Sequence, residues 1–138
     1  MKQNRVGCPR VLLADDLPEV HEKLIQLLRH DFEIVGSAYD GEQAMEAAKT
    51  LNPDLLILDI SMPLLNGIQV ASQLRETDCK AKLIFLTVHE DPDYVEAAFS
   101  LGALGYILKA RFTSDLIPAM REALQGRRFT SEFPVRHI

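Results

Sequence analysis

The chain has 138 residues, 47% of them hydrophobic, which fits one domain with a sizeable core and leaves little room for a second. Its formal net charge is −5, and its Lys and Arg residues are scattered rather than striped, which argues against direct nucleic-acid binding by this segment. Two cysteines make no disulfide framework, the opening MKQNR lacks the apolar run of a signal peptide, and no stretch reaches membrane-spanning length; a reduced, cytoplasmic protein is expected.

Short apolar runs alternate with segments of helical period. Val11 to Ala14 reads as a first strand, followed by a helix from Leu17 to Arg29 with Val20, Leu24, Leu27 and Leu28 on one face. Phe32 to Ala38 reads as a second strand, and Asp40 suits the cap of a helix that turns Ala44, Met45, Ala48 and Leu51 inward until Asn52-Pro53-Asp54 stops it. LLILD, residues 55–59, is the third strand. A loop follows through Pro63 and Asn66-Gly67, where the Asn-Gly pair reads as a turn, and then a helix buries Ile68, Ala71 and Leu74. Leu83 to Thr87 is the fourth strand, and Asp91-Pro92 opens a helix with Tyr94, Val95, Ala98 and Phe99 facing in. Tyr106 to Lys109 is the fifth strand. The last helix is expected from about Ser114 to Gln125, with Pro118 near its first turn and a polar, irregular tail from Arg127 to Ile138 beyond it. Five strands alternating with five helices imply a parallel sheet covered on both faces, which accounts for strands that are apolar without interruption.

In such a sheet ligands bind beyond the carboxyl ends of the strands. The residues there are Asp15-Asp16, Asp59, Thr87 and Lys109. Three clustered carboxylates repel unless a cation sits among them, and hard oxygen ligands suit Mg²⁺. A divalent ion beside a lysine and a hydroxyl equips a site to handle a phosphoryl group, and an Asp facing that group can be its acceptor.

The segments VLLADD, LLILDISMPLLNG, LIFLT and GYILKA resemble the receiver domain of two-component response regulators across residues 9–126. The resemblance implies a flavodoxin-like, doubly wound (βα)5 fold with strand order 2-1-3-4-5. It further implies that Asp59 accepts phosphate from a sensor histidine kinase, that Asp16 binds Mg²⁺ directly and Asp15 through water, and that the carbonyl of Ser61 is a further ligand. Thr87 and Lys109 would contact the phosphoryl oxygens, and Tyr106 matches the aromatic that turns inward when the threonine moves toward the phosphate. Two departures stand out. Ala110 follows Lys109 where many receivers carry a cis proline, and Val88 follows Thr87 where many carry a smaller residue that leaves the acceptor more accessible. Both, with HEDPDYVEAAFSLGALGYILKA and GRRFTSE, make the chain more similar to NarL/LuxR-type transcription regulators. In that type a C-terminal helix-turn-helix output domain follows a linker, here expected over residues 127–138, and a phosphorylation-dependent homodimer is a further expectation.

Plainer readings stand beside these. Asp15 and Asp16 could merely favour the start of a helix, Tyr106 could be core packing, and His89-Glu90-Asp91 could be a polar loop. Other functions also compete: a single-domain receiver acting through protein contacts, or a Mg²⁺-dependent phosphatase with an aspartyl intermediate. The phosphatase reading is disfavoured because such enzymes carry an Asp-x-Asp nucleophile motif on their first strand, where this chain has adjacent acids.

Overall fold

Five helices and one parallel sheet make up the fold, and short local signals start or stop several of them. In the computed structural model, residues 7–133 are described. They form β1 (Arg10–Ala14), α1 (Pro18–Leu28), β2 (Glu33–Ala38), α2 (Gly41–Leu51), β3 (Leu55–Leu58), α3 (Gly67–Leu74), β4 (Lys82–Thr87), α4 (Pro92–Ser100), β5 (Gly105–Leu108), α5 (Phe112–Leu124) and β6 (Phe129–Thr130). The side chains of Asp40, Asn66 and Asp91 accept bonds from the first-turn N–H groups of α2, α3 and α4, which would otherwise be orphaned. Asn52, in the left-handed conformation at φ 49°, ends α2.

The strands lie in the order β2-β1-β3-β4-β5-β6, all parallel. This is the expected flavodoxin-like arrangement with one strand added. Alternation along β3 sends Leu56 and Leu58 into a core with Ala44, Met45, Val70, Ala71 and Ala98 of α2, α3 and α4. It sends Leu55 and Ile57 into a second core with Leu24 and Leu28 of α1 and Leu116, Ala119 and Met120 of α5.

Four readings are corrected. Lys109 lies just past β5, in a 3₁₀ turn over Lys109–Arg111 that leads directly into α5, so that helix begins at Phe112 and Pro118 stands in its interior. Tyr94 is at the surface, its ring 4.8 Å from that of His89, because only Ala98 of α4 is fully covered. The segment after α5 is not irregular throughout, since it supplies β6. Asn66-Gly67 is a helix start rather than a free turn: Asn66 and Gln69 form a reciprocal capping box.

Candidate phosphoryl-handling site

The two central acids are fixed by the sheet itself. Asp15 N–H donates to the carbonyl of Ala38 at 3.0 Å and Asp59 N–H to that of Ala14 at 2.9 Å, so each is the final rung of its ladder. Both side chains are nearly buried, Asp15 at 3% and Asp59 at 4% exposure, while Asp16 is exposed. Lys109 Nζ lies 2.7 Å from Asp15 Oδ2 and 3.0 Å from Asp59 Oδ2. No peptide bond is cis among the described residues, and Lys109 reaches both acids with a trans bond to Ala110. Asp15 Oδ1 also accepts from Leu17 N–H at 2.9 Å, so this acid both steadies the approach to α1 and pairs with the lysine. His21 Nε2–H donates to the Asp15 carbonyl at 2.7 Å from the second turn of α1.

Burial pushes the Asp59 carboxyl up from its ordinary 3.8, and the Asp15 charge adds to this, against the attraction and hydrogen bond of Lys109. Burial alone would depress the Lys109 ammonium, but its bonds and charge contacts with Asp15 and Asp59 outweigh this and raise it. One oxygen from each of Asp15, Asp16 and Asp59 lies within 4.8 Å of the others, a hard-oxygen cluster able to hold a divalent cation with one open side.

Thr87 is completely buried at the end of β4, and its hydroxyl accepts from His89 N–H at 3.3 Å. Tyr106 is also completely buried, and its hydroxyl donates to the His89 carbonyl at 2.9 Å. Val88 is 66% exposed on the same loop. Ser61 N–H donates weakly to Asp59 Oδ1 at 3.4 Å, and Ser61 Oγ shares a 2.6 Å hydrogen bond with His89 Nε2.

Two contributors escaped the sequence reading. His89 joins the loops after β3 and β4, and nothing in a His-Glu-Asp run signals that. Gly67 is required by close approach: a Cβ there would stand 2.1 Å from the Asp59 carbonyl oxygen, while its N–H donates to the Ile60 carbonyl at 2.8 Å. The Asn-Gly pair was the visible trace of it.

The profile of the response regulator receiver domain matches residues 11–121, four fifths of the chain. The chain is a response regulator receiver domain. This receiver is 38% identical over 124 residues to the transcriptional regulatory protein YvfU of Bacillus subtilis, covering 88% of this chain and 62% of that protein. It is 36% identical over 124 residues to the nitrate/nitrite response regulator NarL of Escherichia coli, covering 88% and 57%. These likenesses make it a receiver of the NarL/LuxR type, and it spans about three fifths of the length of those curated relatives. Its fold superposes with a TM-score of 0.83 on the isolated receiver domain of RcsB from Salmonella enterica, solved with the phosphomimetic BeF₃⁻, at 27% identity over 91% of this chain and 94% of that one.

Proposed function

We propose that Asp59 takes a phosphoryl group from the phosphohistidine of a sensor histidine kinase. The observation that carries this reading is a nearly buried carboxylate at a rigid strand end, 3.0 Å from a lysine ammonium and within cation-sharing reach of two further acids. Phosphoryl transfer asks mainly for positioning and charge from a protein. An Asp59 oxygen bonds to phosphorus, the P–N bond breaks, and its electron pair stays with the donor imidazole. Lys109 and Thr87 donate hydrogen bonds to the phosphoryl oxygens. Asp15, Asp16, Asp59 and the Ser61 carbonyl are the groups that would hold Mg²⁺, and the ion would supply positive charge against those oxygens. The chain is thus a self-phosphorylating acceptor rather than a turnover enzyme.

The acquired group adds about −1.5 to −2 charges at neutral pH, which draws Thr87 and Lys109 toward it and favours the inward Tyr106. The receiver occupies residues 9–126, and residues 127–138 begin a linker to a helix-turn-helix domain that regulates transcription, in the cytoplasm and as a phosphorylation-dependent homodimer. The names of YvfU and NarL, and the share of each that the chain covers, support that output. Incubation with Mg²⁺ and the cognate kinase is expected to add one acid-stable, base-labile acyl phosphate per chain. Asp59→Asn is expected to take none, and equal labelling of that variant would overturn the assignment.

A further inference from the structure

Beyond α5 the chain returns along the free edge of the sheet and is held by more than its two strand residues. Phe129 N–H donates to the Leu104 carbonyl at 2.9 Å and Ser131 N–H to the Tyr106 carbonyl at 3.0 Å. Ser131 is only 3% exposed. Its hydroxyl accepts from Leu108 N–H at 3.1 Å and donates to Asp115 Oδ2 at 2.7 Å. Asp115, buried near the start of α5, is also held by Arg111 Nε at 2.8 Å and Ser114 Oγ at 3.0 Å. Two residues further on, the Phe133 ring packs against that of Tyr106 with centroids 6.0 Å apart.

A strand this short has too few ladder bonds to stay paired unaided. The buried Ser131–Asp115 bond and the Phe133 ring hold it in place, and Tyr106 provides both a backbone acceptor and a platform for that ring. The same tyrosine is tied through its hydroxyl to His89, whose ring is tied to Ser61, two residues after Asp59. An outward turn of the phenol would break its bond to His89 and remove the platform under Phe133. Departure of residues 129–133 would leave Leu108 N–H without its Ser131 acceptor and uncover Tyr106.

The geometry points to a strap: residues 129–133 dock on β5 when Tyr106 lies inward, so that strap docking and phosphoryl occupancy of Asp59 reinforce each other. Phosphorylation then tightens the segment leaving the domain against β5 and α5, and transmits the state of Asp59 along the chain. This rests on the phosphoacceptor reading of Asp59 and adds its route of readout. Coupling between two binding equilibria is reciprocal and can be measured from either side.

The test uses the full 138-residue chain with Mg²⁺ and BeF₃⁻, the bound anion counted by its ¹⁹F signal. Amides of Phe129 and Ser131 exchange by local opening, which global stabilisation leaves untouched. BeF₃⁻ is expected to slow their exchange at least about fivefold, the lower end of ordinary coupling. Ser131→Ala is expected to weaken BeF₃⁻ binding by the same factor, with Phe133→Ala giving the same reading if the first variant does not fold. A bound ¹⁹F signal with unchanged exchange overturns the strap and leaves the Asp59 reading standing. Absence of any bound signal overturns both.

Discussion

Gly67 and Asn66 sit side by side at the start of α3 and do different work. Asn66 closes a capping box, and such a cap contributes about 1 kcal/mol. Gly67 instead leaves room for the backbone of Asp59, and a methyl group there must displace the Asp59 carbonyl or the first turn of α3. Gly67→Ala is therefore expected to cost about 2–3 kcal/mol, in the range of an overpacked core. It should also slow phosphoryl transfer on the order of 100-fold, because a shift of about 1 Å in a reacting group has that effect. Asn66→Ala should lower stability by the smaller amount and leave the labelling rate within about twofold of wild type. Urea unfolding and kinase-dependent labelling of both variants separate the two roles. Asp59 itself was legible because an acid that ends a buried apolar run stands out. Gly67 was not, because the atom it avoids belongs to another element and close approach leaves no periodic pattern.

The same distinction holds among the elements. The ends of β1, β3 and β4 could be read from uninterrupted apolar runs, and the caps of α2 and α4 from Asp40 and Asp91, since those signals act within a few residues. The start of α5 could not. Its N-cap, Arg111, makes no side-chain capping bond, while Ser114 looks like a cap three residues later. Strand β6 was missed because its stability comes from the buried Ser131–Asp115 bond and from Phe133 on Tyr106 rather than from local propensity. The longer α5 places Pro118, an exposed residue, at the seventh helical position, where it removes the N–H that would bond the Ser114 carbonyl. A proline inside a helix costs about 3 kcal/mol, of which roughly 0.4–1 kcal/mol is recovered through a stiffer unfolded chain. Pro118→Ala is thus expected to stabilise the protein by about 2 kcal/mol, read as a higher urea midpoint at unchanged slope. An unchanged midpoint would mean that the first turns of α5 contribute little to the folded state.

At the scale of the whole molecule, the site is built at a cost to stability, because its two central acids are held away from water. The two cores hold Asp15 and Asp59 almost out of water, and a single lysine serves both. Because burial raises the Asp59 carboxyl above 3.8, the folded protein holds a proton there that the unfolded chain has already released. Stability contributed by this group therefore falls as pH rises from about 3.8 through the raised value, and the penalty is complete above it. Lys109 has the opposite arrangement: its raised ammonium contributes stability that is fully present below 10.5 and is lost only above that. Between pH 4 and 7 the Asp59 penalty is thus the part of the site that changes. In metal-free buffer Asp59→Asn is expected to be more stable than wild type at pH 7, with the gap closing toward pH 4. Saturating Mg²⁺ at pH 7 should stabilise wild type by about 2.7 kcal/mol at a hundredfold excess over its dissociation constant, and the variant by less. Chemical denaturation of both proteins across that range, with and without Mg²⁺, measures all three differences. Equal stabilities at every pH would mean that Lys109 fully compensates the burial of Asp59. A Mg²⁺ effect as large in the variant as in wild type would place the ion away from that carboxylate.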